Sequence, residues 1–169
     1  MFEVLRPRDT ADSIYHIDLA ALKLKGIRGI IFDLDNTLTS WDQGQVLPEL
    51  VRWFAALRQS GLNAAIVSNN KAARVEQFAS ALGIPGMAMA GKPRRGSFRK
   101  AMQLMGTTAA DTAVVGDQVF TDILGGNRLG THTVLVQPIG TAEFVWTRLM
   151  RRLEALVLKQ LGISRTAVS

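Results

Sequence analysis

Asp33 and Asp35, two residues apart, follow directly on the apolar run Ile30-Ile31-Phe32. Three further polar groups follow other short apolar stretches: Ser68-Asn69-Asn70, Lys92-Pro93, and Gly116-Asp117 running on to Thr121-Asp122. Together they supply four carboxylates, one lysine and one serine. At spacing two, Asp33 and Asp35 can lie on the same side of a chain leaving a strand. Carboxylates brought together repel and raise one another's pKa, and a hard divalent cation with oxygen ligands, of which Mg²⁺ is the plainest case, resolves that repulsion. A lysine beside them offsets a phosphate as a compact point charge, and a serine hydroxyl with adjacent backbone N–H groups can hydrogen-bond it. This set of groups suits phosphoryl transfer, in which positioning and charge stabilisation carry most of the catalysis.

Such a set functions only if the fold gathers the four segments. Asp18 is a good N-cap for a short helix Leu19–Lys25, stopped by Gly26. The continuous apolar run within Ile27–Leu34 suits a strand buried on both faces. Leu50, Trp53, Phe54 and Leu57 recur at helical spacing within Val46–Ser60. Alternation then continues: strand Asn63–Val67, helix Lys71–Leu82, strand Met87–Ala90, helix Arg95–Met105, strand Thr112–Val115, helix Thr121–Leu129 and strand Thr133–Val136. Strands alternating with helices predict a three-layer α/β/α domain over 1–169, with a mostly parallel five-stranded sheet. Ligands in such folds sit at the carboxyl ends of the strands, where all four polar segments fall.

The motifs resemble those of the haloacid dehalogenase (HAD) superfamily of phosphatases. Asp33 to Leu38 matches its Asp-x-Asp-x-(Thr/Val)-(Leu/Val) motif, followed in order by Ser68, Lys92 and the acidic pair Asp117 and Asp122. Trp41-Asp42, Ser68-Asn69-Asn70, Arg74-Val75, Ala90-Gly91-Lys92-Pro93 and Gly125-Gly126-Asn127-Arg128 extend the similarity to YqeG-type, subfamily IIIA phosphatases, which include phosphatidylglycerophosphatases. Gly91 departs from the pattern, because a bulkier residue is expected there. The resemblance implies a Rossmann-like HAD core and a covalent aspartyl-phosphate on Asp33. It implies Asp35 as general acid and then base, and Ser68, Asn69 and Lys92 around the phosphate. Mg²⁺ would be held by Asp33, the carbonyl of Asp35 and Asp117, with Asp122 as a further ligand or behind them. Arg128 is a candidate substrate contact.

Only seven residues separate Leu38 from Val46, and one helix and one strand separate Asn70 from Lys92. Neither gap houses a large cap domain, so an open site is expected, able to accept a headgroup still attached to a membrane. The net charge of +6 favours an anionic partner. Lys92, Arg94, Arg95, Arg99 and Lys100 form a basic cluster, a solvated helix start or an attractor of phosphate or anionic lipid. A C-terminal amphipathic helix is expected at about 141–162. Trp146, Leu149, Leu153, Leu156 and Val157 share one face and Arg148, Arg152 and Lys159 lie elsewhere, for packing on the domain or on a membrane.

There is no cysteine, so disulfides and thiolate metal sites are excluded. The opening Met-Phe-Glu-Val-Leu-Arg lacks the apolar core of a secretory signal, and no stretch approaches the ~18 apolar residues of a membrane span. A cytoplasmic enzyme is expected, with peripheral contact at the inner face of the membrane as a further option. The readings in contention are a phosphatidylglycerophosphate phosphatase, a HAD phosphatase for a soluble phosphomonoester or phosphoprotein, and a non-enzymatic nucleic-acid or ribosome-associated module. No nucleic-acid motif supports the last, and no nucleic-acid partner is expected.

Overall fold

The computed structural model describes residues 2–140 and 145–163. Strands β1 (Asp9–Ala11), β2 (Gly29–Phe32), β3 (Asn63–Val67), β4 (Gly86–Met87), β5 (Thr112–Gly116) and β6 (His132–Val136) form one six-stranded sheet in the order β1-β6-β5-β2-β3-β4. Every pairing is parallel. The helices are α1 (Leu19–Leu24), α2 (Pro48–Gln59), α3 (Ala72–Leu82), α4 (Gly96–Met105), α5 (Leu124–Asn127) and α6 (Val145–Gln160). The fold is the expected α/β/α arrangement, with no large cap among the described residues.

Alternation within the strands builds the layers. In β2, Ile30 and Phe32 face one side and join Leu22 of α1, Phe54 and Leu57 of α2, and Phe78 and Leu82 of α3 in the larger core. Ile31 faces the other side and packs with Phe98, Ala101, Met102 and Met105 of α4. Because both faces are covered, β2 and β5 are buried at every position. Asp18 caps α1 as expected, its carboxylate accepting from the Ala21 N–H at 2.8 Å.

Three expectations are corrected. The sheet has six strands, not five: β1, Asp-Thr-Ala at the sheet edge, is only partly buried and carries no apolar run to announce it. The third expected strand, Met87–Ala90, is instead β4 at Gly86–Met87, after which Met89 takes a left-handed φ of 46° and leaves the ladder. The expected helix Thr121–Leu129 is a wide π-type turn at Val119–Ile123 that runs into the short α5. Gly125 and Gly126 let α5 press on the domain, since a Cβ there would lie 2.6 Å from the Phe98 ring and 2.7 Å from the Thr133 methyl respectively.

A candidate phosphoryl-transfer site

The first polar loop is held in register by the sheet itself, because the Asp33 N–H donates to the Val115 carbonyl of β5 at 2.9 Å. The chain then curls around the Leu34 carbonyl, which accepts from the N–H groups of Leu38 at 2.9 Å and Thr39 at 3.3 Å. Asn36 makes the curl with φ 62°, a left-handed conformation that Asn tolerates, and its side chain accepts from the Trp41 N–H at 3.2 Å. The curl keeps Asp33 and Thr37 on the inside and turns Asp35 toward α3.

The second and third loops are tied to each other. Ser68 is buried and accepts from the Asn70 N–H at 3.1 Å. Asn69 brackets the Lys92 backbone, accepting from its N–H at 2.8 Å and donating to its carbonyl at 3.5 Å. Gly91 stands immediately before, at φ 64°, which accounts for a glycine where a bulkier residue was expected. Lys92 thereby leaves the basic cluster. Its ammonium is buried, whereas Arg94, Arg95, Arg99 and Lys100 are exposed.

The fourth loop depends on a close approach. A Cβ on Gly116 would lie 2.3 Å from the Asp122 carboxylate, so only glycine lets the π-type turn fold Asp122 back over the end of β5. The Gln118 N–H donates to that carboxylate at 3.2 Å.

These loops bring Asp33, Asp117 and Asp122 together, with one oxygen from each within 4.8 Å of the others. Lys92 Nζ bridges Asp33 and Asp122 at 2.6 Å each, and Thr37 donates to Asp117 at 3.1 Å. Burial pushes the Asp33 carboxyl well above the usual range against the pull of Lys92, and Asp122 and Asp117 push it further. Asp122 is raised for the same reasons, burial first. Lys92 is raised because its two carboxylates outweigh its burial. Three buried carboxylates with an oxygen of each within reach of one ion are a hard donor set suited to a small divalent cation such as Mg²⁺.

Of the four carboxylates expected together, Asp35 is the one outside the cluster. Its two oxygens accept from Arg74 Nε and from Asn70 Nδ2, both at 2.8 Å. Arg74 is itself fixed by the carbonyls of Gln43 at 2.7 Å and Ser40 at 3.0 Å and lies over the Phe78 ring. The sequence marked Arg74 and Asn70 only as parts of family strings, without a role. Arg128 is exposed and caps the end of α5 that leads into β6.

Helix α6 differs from its expected orientation. Glu154, Val157 and Leu158 are buried, while Leu153 and Leu156 are 42 % and 61 % exposed. Arg151 donates to the Asp117 carbonyl at 2.7 Å and to the Asp117 carboxylate, and Glu154 accepts from the Val119 N–H at 2.7 Å. This polar pair turns inward and swings Leu153 and Leu156 outward. A charged pair three residues apart on a helix resembles ordinary surface pairing, so nothing in the sequence marked it. The side chains of Trp146, Arg148 and Leu149, and residues 141–144, lie outside the described residues.

A family model described as HAD-hydrolase-like matches residues 89–142. The chain is 41% identical over 155 residues to the probable phosphatase YqeG of Bacillus subtilis, covering 92% of this chain and 90% of that protein. The chain belongs to the YqeG family of HAD phosphatases. It is therefore a hydrolase acting on phosphorylated substrates. A more distant relative of this YqeG-family phosphatase is the phosphatidylglycerophosphate phosphatase 1 of Arabidopsis thaliana, 32% identical over 170 residues, 91% of this chain and 47% of that one. Among solved structures, the cobalt-bound deoxy-D-mannose-octulosonate 8-phosphate phosphatase of Haemophilus influenzae shares the fold at a TM-score of 0.51 and 19% identity, over 83% of this chain and 92% of that one. Among the described residues, no helix is long and apolar enough to cross a membrane.

Proposed function

We propose that this YqeG-family phosphatase is Mg²⁺-dependent, works through an aspartyl-phosphate on Asp33, and dephosphorylates phosphatidylglycerophosphate. The observation that carries the reading is the buried cluster of Asp33, Asp117 and Asp122 bridged by Lys92, with Asp35 two residues from Asp33. An Asp33 carboxylate oxygen attacks phosphorus, a P–O bond forms, and the bond to the leaving alkoxide breaks. Asp35 gives that oxygen a proton. In the second half, Asp35 takes a proton from water as its oxygen attacks phosphorus, releasing inorganic phosphate and restoring the Asp33 carboxylate.

Lys92 and the Ser68 hydroxyl, with the N–H groups beside it, hold the phosphate. Asn69 serves by fixing the Lys92 backbone. The residues that would hold Mg²⁺ are Asp33, Asp117 and the carbonyl of Asp35, with Asp122 adjoining, and the ion would supply neutralising charge at the phosphate. Asn70 and Arg74 orient Asp35, each donating to one of its oxygens.

The lipid assignment is supported by the similarity to the phosphatidylglycerophosphate phosphatases of Arabidopsis and of Chlamydomonas reinhardtii, the latter 34% identical over 146 residues. The lack of a cap insertion among the described residues supports it too. Peripheral contact with a membrane is part of the same reading, supported by exposed Leu153 and Leu156 beside exposed Arg152 and Lys159 on α6. Phosphate release from phosphatidylglycerophosphate in mixed micelles tests it, with Mg²⁺, with EDTA, and with soluble phosphomonoesters alongside. Mg²⁺-dependent release much faster than from soluble esters is expected. Release from soluble esters alone would keep the phosphatase and remove the lipid.

A further inference from the structure

The α6 helix delivers a cation that the phosphatase reaction does not require. Asp117 is fully buried, and both of its carboxylate oxygens are engaged: Thr37 donates to Oδ1 at 3.1 Å and Arg151 donates to Oδ2. Lys92, by contrast, takes one oxygen each from Asp33 and Asp122 through their Oδ1 atoms. A divalent ion bound by Asp33, Asp117 and Asp122 therefore meets a guanidinium already on the Asp117 carboxylate, in a place with little water to screen the two.

Arg151 also has a second partner ready. Its Nη1 lies 3.6 Å from a Glu154 carboxylate oxygen, one turn along the same helix. Glu154 does not move freely, since its other oxygen accepts from the Val119 N–H at 2.7 Å and the Phe120 N–H at 3.4 Å. Beyond it, Val157 and Leu158 of α6 pack with Leu5, Val119, Ile123 and Leu135, which anchors the second half of the helix independently of Arg151. The first half has Arg151 as its described polar tether to the site.

From this we infer that Arg151 is a positioning residue that competes with the metal for Asp117, so that α6 is latched to the site when no metal is bound and its first half is released when the metal binds. The inference rests on the metal assignment made above. Without metal, the guanidinium compensates a buried carboxylate that would otherwise stand against its acidic neighbours. With metal, the guanidinium passes to Glu154, and the latch couples the order of α6 to the loading of the site.

The test is Mg²⁺ affinity measured by titration calorimetry on the EDTA-stripped full chain, for wild type, Arg151→Ala and Arg151→Lys, with hydrogen exchange of α6 followed with and without Mg²⁺. Removing the competitor should tighten Mg²⁺ binding by about tenfold in Arg151→Ala, a change of the size a lost charge contact produces. Arg151→Lys keeps the charge but not the planar fork that spans the carbonyl and carboxylate, and should tighten it less. If Arg151→Ala fails to fold, the lysine variant alone carries the comparison. In wild type, Mg²⁺ should speed exchange in the first half of α6, and in Arg151→Ala that exchange should already be fast and indifferent to Mg²⁺. Wild type binding Mg²⁺ while the variants bind no tighter would overturn the latch and leave the metal site standing. A wild type that binds no Mg²⁺ would overturn both.

Discussion

Two ionic clusters at opposite ends of the sheet invert each other's arrangement. At the edge, one acid sits between two bases: Asp9 accepts from Lys25 at 2.8 Å and contacts the His132 ring at 2.6 Å. At the strand carboxyl ends, one base sits between two acids, Lys92 between Asp33 and Asp122, with Asp117 adjoining. The Asp9 side chain is 43% exposed, whereas the Lys92 side chain is 3% exposed. The edge cluster is open to water at Asp9 and Lys25 and self-satisfied. The site cluster is dry and short of positive charge: among the described groups around it, the buried carboxylates of Asp33, Asp117, Asp122 and Glu154 face Lys92 and Arg151, a deficit that matches one divalent ion. Stability alone would not select such a cluster, since buried ion pairs are poor stabilisers and an uncompensated buried charge is strongly destabilising. Its arrangement makes sense as a receptacle for a cation and a phosphate.

The sharpest break of that contrast is Lys92→Met. It strands two buried acids, and the metal-free protein should lose about 3–5 kcal/mol in chemical denaturation, part of it restored by Mg²⁺. A loss under about 1 kcal/mol would mean that the cluster is hydrated rather than dry.

Next in size is Asp33→Asn, which removes a carboxyl whose folded pKa is raised. Between the ordinary carboxylate range and that raised value the folded state holds a proton that the unfolded state has released, so this group's contribution to stability falls as pH rises. In EDTA the variant should therefore be more stable than wild type, by about 1–2 kcal/mol near neutral pH, with the gap shrinking toward pH 4. Melting curves across pH check this, and a gap that widens toward acid would reverse the sign. Mg²⁺, which favours the ionised form, should narrow the gap at neutral pH.

At the edge, Asp9→Asn should change stability by no more than about 1 kcal/mol, because the Asp9 carboxylate is itself half-exposed and screened. The Asp9 pKa lies below its ordinary value, burial being outweighed by Lys25 and His132, so the small contribution it makes is present at neutral pH and lost as pH falls through the folded value. A larger effect at Asp9 than at Lys92 would erase the distinction between the two ends.

The same contrast explains what could be read from the sequence. The loops after β2, β3, β4 and β5 announced themselves, because buried parallel strands are continuous apolar runs and polar residues directly after them have few structural reasons to be acidic. Helix α2 followed from helical periodicity, and α3 and α4 from the alternation of strands with helices. Edge strand β1 did not, since three half-exposed residues paired on one side leave no apolar pattern. The rotation of α6 was hidden for a different reason. Its inward face is chosen by Arg151 and Glu154 finding buried partners on Asp117 and the Val119 N–H, and hydrophobic periodicity points instead to Leu153 and Leu156. Arg74 and Asn70 were visible as letters in a motif, but their contact with Asp35 joins segments 35 or more residues apart and needs the fold to bring it about.

The most direct test is to trap the covalent intermediate. Enzyme turning over a substrate with a radiolabelled phosphate is quenched in acid, digested and mapped, for wild type and for Asp33→Asn. The account predicts label on the peptide carrying Asp33, released by hydroxylamine as an acyl phosphate would be, and neither label nor turnover in Asp33→Asn. Turnover persisting in Asp33→Asn, or label on a peptide without Asp33, would contradict it.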